Sequence, residues 1–114
     1  MRNEDLVLPK QVCRDLKVLV VTLEEVCGSN LRQIILFGSF ATGKNQPNSD
    51  YDLCLVLDEI PKDTSEVIKL RNIDDHCEVS REVDILLTTA SVLKEGRHVF
   101  RFIKRDGAIL YERI

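Results

Sequence analysis

The sequence predicts an α+β protein in which a small β-sheet carries helices packed on one of its faces. Two short apolar runs, 34–37 and 53–57, are flanked by Gly, Asn and Pro residues and are typical of buried strands. A third segment, 82–88, alternates apolar and polar residues as a strand with one buried face does. Elsewhere, apolar residues recur at the three- and four-residue steps of amphipathic helices.

The first element is a predicted amphipathic helix over residues 9–27. Pro9 stands where a helix begins well, because its fixed φ suits the first helical turn, and Gly28 ends the helix. The apolar positions of one helix face are Val12, Leu16, Leu19, Val20, Leu23, Val26 and Cys27. This face is expected to pack on the sheet.

The remaining elements follow in chain order and are bounded by turn residues. They are a strand over 31–37, a short helical turn between Gly38 and Gly43, a strand over 50–57, a helix from Thr64 or Ser65 to about Val79, a strand over 82–88, a helix over 97–104 and a short edge strand over 108–111. On the second and third strands one face is apolar throughout, with Leu53, Leu55, Leu57, Val83, Ile85 and Leu87. Helices must cover that face, so Asp50, Asp52 and Asp84 are expected on the opposite, open face.

The composition limits the possible functions. The chain has 114 residues, enough for one hydrophobic core, and a single domain over 1–114 is predicted. Its net charge of −3 and the lack of a Lys/Arg stripe argue against autonomous binding to nucleic acid. The sequence has neither a signal peptide nor an apolar run of membrane length, so a cytoplasmic protein without a membrane partner is expected.

The most informative stretch links the first strand to the second. It consists of a Gly-Ser pair at 38–39, ten residues, and an Asp-Tyr-Asp run at 50–52. A strand that ends in Gly-Ser and opens a short helix offers unpaired backbone N–H groups to a phosphate. Asp50 and Asp52 stand at i and i+2, so their carboxylates point to the same side of the strand, and Asp84 approaches them if the second and third strands are neighbours. Such a cluster fits Mg²⁺, which prefers oxygen ligands, and two such ions stabilise both oxygens of an in-line displacement.

This stretch resembles the signature of the DNA polymerase beta nucleotidyltransferase superfamily. The shortness of the chain resembles the minimal prokaryotic nucleotidyltransferases, which are commonly the antitoxin of a pair with a HEPN-domain ribonuclease. The resemblance implies a polymerase beta-like fold with a mixed sheet, ATP as the substrate and two Mg²⁺ ions. It also implies roles for the matching residues: Gly38 and Ser39 grip the outer phosphates, Asp50 and Asp52 hold the ion that bridges the triphosphate, and Asp84 helps to hold the second ion and accepts the proton of the incoming hydroxyl.

One position departs from the pattern of the family. The minimal enzymes often have an arginine where this chain has Thr42. Lys44, two residues further on, is the predicted substitute for that charge in binding the nucleotide.

Functions of different classes stay open. The first is an enzyme that moves AMP from ATP onto a tyrosine of a partner HEPN ribonuclease toxin, where the added charge would block RNA binding. The second is a binding module that neutralises the toxin by steric occlusion, although three mutually repelling carboxylates argue against it. A third, with less support, is a subunit that modifies a small molecule within a larger assembly.

Because no acceptor-binding domain is evident, another chain is expected to bring the acceptor. The apolar residues Cys54, Val56 and Leu86 are expected to offer that chain a surface.

Overall fold

The structure, a computed structural model, describes residues 8–114. Five helices and four strands follow one another along this part of the chain. They are α1 (Lys10–Cys27), β1 (Leu31–Phe37), α2 (Ser39–Thr42), β2 (Tyr51–Leu57), α3 (Thr64–Arg71), β3 (Val83–Thr89), α4 (Ala90–Glu95), α5 (Val99–Asp106) and β4 (Ala108–Glu112), with 3₁₀ turns at Gly28–Asn30 and Ile73–Asp75. The α+β class predicted from the sequence is confirmed.

The strands form one mixed sheet in the order β3-β2-β1-β4. Strand β1 runs antiparallel to both of its neighbours, β2 and β4. Strands β2 and β3 are parallel and adjacent, which puts Asp52 directly opposite Asp84. The prediction that Asp84 approaches Asp50 and Asp52 required these two strands to be neighbours, and the structure shows that they are.

The larger hydrophobic core lies between α1 and one face of the sheet. The predicted leucine face of β2 is fully buried here, and α1 contributes the apolar stripe that its periodicity predicts. The buried residues of this core include Val12, Leu16, Leu19, Leu23, Leu53, Leu55, Leu57, Leu70 and Ile73. Each large apolar side chain buried in this way contributes about 1.5–3 kcal/mol to folding.

The opposite face of the sheet is covered over part of its length, which corrects the expectation of helices on one face alone. Helices α4 and α5 pack there, and a second cluster of buried residues consists of Ile35, Cys54, Val56 and Ile103. Cys54 and Val56 therefore offer no apolar surface to a partner, contrary to the prediction, because α5 of the same chain already covers them. Leu86 is partly buried against the same cluster.

Element boundaries agree closely except in the middle of the chain. The predicted helix to about Val79 ends at Arg71, and a separate 3₁₀ turn follows after Asn72. The N-cap of α3 is Asp63 and not Thr64 or Ser65 as predicted. The carboxylate of Asp63 accepts a hydrogen bond from the backbone N–H of Ser65 at 2.9 Å. Helix α4 was not predicted, since six residues are too few to display a helical period.

Within residues 8–114, none of the helices combines the length and the hydrophobicity needed to cross a bilayer.

Candidate active site

The turn after β1 is shaped by Gly38. Its backbone has φ 74° and ψ −152°, a region that side-chain-bearing residues avoid. A Cβ atom added to Gly38 would lie 2.1 Å from Oδ2 of Asp52, so the turn packs directly against this carboxylate. The Gly-Ser pair and Asp52 are therefore neighbours in space, although more than ten residues separate them in the chain.

The short helix α2 leads away from this turn. The backbone N–H groups of Ala41 and Thr42 both donate to the carbonyl of Gly38, at 3.1 and 3.2 Å. The first N–H groups of such a turn, at Ser39 and Phe40, have no partner within it, which makes them suitable donors to an anion. Thr42, which replaces the expected arginine, directs its hydroxyl back to the carbonyls of Gly38 and Ser39 at 3.3 and 3.4 Å.

The carboxylates meet at the edge of the parallel strand pair. Asp52 is partly buried on β2, Asp84 is exposed on β3 directly opposite it, and Asp50 is partly buried one residue before β2 begins. Burial raises the pKa of Asp52 to about 6, with further increases from the charges of Asp84 and Asp50 and from hydrogen bonding to Asp84. Both neighbouring carboxylates thus oppose the ionisation of Asp52, and a cation between them would relieve the repulsion.

The donors at this site fit magnesium, although they do not enclose a metal by themselves. In the described part of the chain, no group of three or more His, Cys, Asp and Glu side chains is arranged closely enough to hold an ion. Mg²⁺ is usually bound through one or two carboxylates, with waters and substrate phosphates as its other ligands. The pair formed by Asp52 and Asp84 supplies oxygen donors of this kind. The assignment of Asp50, Asp52 and Asp84 as metal ligands stays a prediction.

Lys44 lies just beyond the end of α2 and is exposed. Its backbone N–H donates to the carbonyl of Ser39 at 2.9 Å. Its side-chain charge acts on Asp106 at the end of α5, where Arg105 and, to a smaller extent, Lys44 hold the pKa of the carboxyl below its usual value. Its assignment to nucleotide binding stays a prediction.

Arg81, which no sequence pattern singles out, holds the loop between α2 and β2 in place. Its guanidinium donates to the carbonyls of Pro47 and Ser49, both at 2.9 Å, and lies over the ring of Phe40 at 5.0 Å. Since Ser49 immediately precedes Asp50, these contacts position that aspartate. Nothing in the pattern around Arg81 distinguishes it from a solvated charge, because its partners are more than thirty residues away.

A second feature missed from the sequence is a buried carboxylate on the far side of β2. Asp15 on α1 is 2% exposed. Its carboxylate accepts hydrogen bonds from the hydroxyl of Tyr51 at 2.6 Å, the hydroxyl of Ser80 at 2.5 Å and the side-chain amide of Gln11 at 2.9 Å. Burial opposes the ionisation of Asp15, but these hydrogen bonds outweigh it and hold the pKa of Asp15 below its ordinary value. The network fixes the strand residue that stands between Asp50 and Asp52.

Taken together, the mixed sheet, the Gly-Ser turn and the facing aspartates define a nucleotidyltransferase of the polymerase beta type. The family described as "Polymerase beta, Nucleotidyltransferase" matches residues 21–113, and the chain belongs to this family. The predicted resemblance is thereby confirmed.

Two solved structures have the same fold. One is a candidate nucleotidyltransferase from Sulfolobus solfataricus, with 22% identity and a TM-score of 0.61, covering 91% of this chain and 86% of that one. The other is a toxin–antitoxin structure with AMP-PNP, with 20% identity and a TM-score of 0.60, covering 87% of this chain and 74% of that one. No curated protein matches the sequence significantly.

Proposed function

We propose that the protein is a Mg²⁺-dependent nucleotidyltransferase that moves AMP from ATP onto a tyrosine hydroxyl of a HEPN-family ribonuclease toxin and so acts as its antitoxin in the cytoplasm. The observation that carries the proposal is the position of Asp52, which faces Asp84 across a parallel strand pair and contacts the Gly38 turn. The family membership supports nucleotidyl transfer. The likeness to a toxin–antitoxin structure with AMP-PNP, an ATP analogue, supports the antitoxin role.

In this proposal each residue has a defined task. Asp50 and Asp52 would hold one Mg²⁺ and Asp84 would help to hold a second, and the bound ions would neutralise charge on the phosphates. The N–H groups that follow Gly38, together with the Ser39 hydroxyl, hold the outer phosphates.

The exposure of Asp84 suits a group that must meet an acceptor from another chain. Its carboxylate takes the proton of the incoming hydroxyl, whose oxygen forms a bond to the α-phosphorus while the bond to pyrophosphate breaks. The tyrosine then carries AMP, whose charge and bulk would obstruct a site that binds RNA phosphates.

The test uses the purified protein, radiolabelled ATP, Mg²⁺ and the product of the neighbouring gene. Label should transfer to that product, and Asp52→Ala should reduce transfer by about a hundredfold or more, because the substitution removes the central carboxylate. Asp75→Ala, which removes an exposed carboxylate in the 3₁₀ turn after α3, is the matched control and should transfer normally. Equal transfer by Asp52→Ala and wild type would rule out the proposed site.

Steric occlusion is the competing function. It predicts that Asp52→Ala neutralises the toxin as well as wild type does and that no label appears on the partner. Partial burial of Asp52 between two other carboxylates disfavours occlusion, because a purely occluding protein gains nothing from a destabilising cluster. Toxin activity measured with each variant separates the two functions.

A further inference from the structure

Positive charge is concentrated on the surface formed by the end of α4 and by α5. Residues 94–106 contain five Lys and Arg side chains against two Asp and Glu, while the whole chain has a net charge of −3. The cations are Lys94, Arg97, Arg101, Lys104 and Arg105, all exposed. We call these five residues, together with Phe102, the basic α5 surface. The rest of the chain therefore carries an excess of acidic side chains.

An exposed aromatic ring lies within this surface. Phe102 is 46% exposed, and the guanidinium groups of Arg101 and Arg105 lie over its ring at 5.2 and 5.1 Å. Stacking on the ring favours defined positions for both guanidinium groups. The surface therefore offers an apolar centre with cations around it.

Internal acids neutralise only part of the charge. Arg105 pairs with Asp106 at 2.8 Å, and Arg97 makes a long contact of 3.9 Å with Glu95. The ammonium of Lys104 donates to the backbone carbonyl of Lys94 at 3.0 Å, which links α5 to the end of α4. For Arg101 the described residues provide an aromatic contact and no ion pair. Exposed cations that internal acids neutralise only in part favour an anionic partner.

This surface is next to the candidate active site. Ile103 of α5 is buried against Cys54, which follows Asp52 by two residues and shares its face of the sheet. Three residues further along the helix, Arg105 and, to a smaller extent, the charge of Lys44 lower the pKa of Asp106, and Lys44 follows the Gly-Ser turn. Helix α5 therefore stands beside the face that carries the aspartates, with its cations turned to solvent.

We infer that the basic α5 surface docks a short acidic segment of the acceptor protein, close to the hydroxyl that receives the nucleotide. The inference rests on the proposed function for its choice of acceptor. Helix α5 has eight residues and is about 12 Å long, which matches three or four residues of an extended peptide. A longer polyanion such as RNA is disfavoured, because the residues outside 94–106 carry an excess of acidic side chains.

Binding of a fluorescein-labelled glutamate-rich peptide with a single tyrosine tests the inference. Anisotropy in low-salt buffer should show binding that weakens steeply as salt is added. A glutamine-rich peptide of equal length should bind at least about tenfold more weakly, because it lacks the charge.

A matched pair of double variants locates the binding surface. Arg101→Glu with Lys104→Glu reverses two exposed cations three residues apart on α5, and should weaken binding of the acidic peptide by about tenfold or more. Arg14→Glu with Lys17→Glu reverses two exposed cations at the same spacing on α1, across the sheet, and should leave binding unchanged. Both double variants should bind Mg·ATP as wild type does, which shows that they are folded.

The opposite outcomes would overturn the inference. They are equal binding of the two peptides, equal loss in the α1 and α5 variants, or tighter binding of a single-stranded oligonucleotide than of the acidic peptide. Failure of the proposed function has a different signature: wild type would bind no Mg·ATP and transfer no label, while the peptide measurements would keep their outcome.

Discussion

At the scale of single residues, Asp52 occupies a place that opposes its own ionisation. Its pKa of about 6 results from burial and from the charges of Asp84 and Asp50. The pKa of this carboxyl is near 4 in the unfolded chain and about 6 in the folded protein. Asp52 therefore lowers the free energy of unfolding as the pH rises from the first of these values through the second. Such a local cost is expected where side chains are arranged for a ligand.

Gly38 is the residue that makes this arrangement possible. We expect Gly38→Ala to reduce nucleotidyl transfer by about a hundredfold, because the methyl group would displace the Asp52 carboxylate from its position. The variant should also lose about 1–3 kcal/mol of stability from its backbone conformation. Transfer assays and urea unfolding measure the two effects.

Gly43→Ala is the matched control for this prediction. Gly43 also has a positive φ, 76°, but an added Cβ there meets nothing within 4 Å. The Gly43→Ala variant should lose about 1–2 kcal/mol of stability, because alanine is strained in the left-handed conformation, and it should keep its activity. Equal loss of activity in the two variants would mean that backbone strain, and not contact with Asp52, explains the requirement for glycine.

At the scale of elements, the loop between α2 and β2 depends on Arg81. Arg81→Lys keeps the charge but cannot reach two carbonyls and stack on Phe40 at once. We expect a stability loss of about 1.5–3 kcal/mol from the lost charged hydrogen bonds. Catalytic efficiency should fall about tenfold as Asp50 loses its position.

Hydrogen exchange tests whether the effect of Arg81 is confined to this loop. The backbone N–H of Ser49 donates to the carbonyl of Gln46 at 3.0 Å and should exchange faster in Arg81→Lys. Arg71→Lys, at the exposed end of α3, is the control with the same chemical change and should leave this amide unaffected. Unchanged exchange at Ser49 in Arg81→Lys would contradict the positioning role.

The elements that could be predicted from sequence are those whose signal is local. The faces of β2 and β3 follow from alternation, and the length of α1 follows from its period and its flanking Pro9 and Gly28. Helix α3 ends early because Asn72 adopts a non-helical conformation that composition does not reveal. The position of α5 over Cys54 could not be predicted either, since an apolar strand face does not specify which helix covers it.

The same distinction applies to the candidate site. The Gly-Ser pair, Asp50 and Asp52 are visible as a spaced motif, and Asp84 follows from alternation once β3 is known to be a neighbour of β2. Arg81 and Asp15 could not be found in this way, because both act through partners more than thirty residues away along the chain. Contacts of this kind can be identified only from the tertiary structure.

At the scale of the whole molecule, the two faces of the sheet have different tasks. The α1 face holds the larger core, and the other face combines the aspartates with the α5 helix and its cations. Asp15 joins three distant parts of the larger face, because its carboxylate binds both Tyr51 of β2 and Ser80, just before β3. Global stability should therefore respond to the ionisation of this one group.

We expect Asp15→Asn to destabilise the protein by about 2–4 kcal/mol at neutral pH, because an amide cannot accept from all the donors that surround the carboxylate. The folded-state pKa of Asp15 lies below its usual value of 3.8, so its stabilising contribution is complete above that value and is lost as the pH falls through the folded pKa. The difference in unfolding free energy between wild type and Asp15→Asn should thus be constant above about pH 5 and shrink below it.

Urea unfolding at a series of pH values measures this difference, and Tyr51→Phe separates charge from hydrogen bonding. Tyr51→Phe removes one donor and leaves the carboxylate, so it should lose about 1 kcal/mol and keep most of the acid sensitivity of wild type. Parallel stability curves for wild type and Asp15→Asn down to low pH would show that folding does not shift the pKa of Asp15, and the hydrogen bonds of the network would then not favour its ionised form.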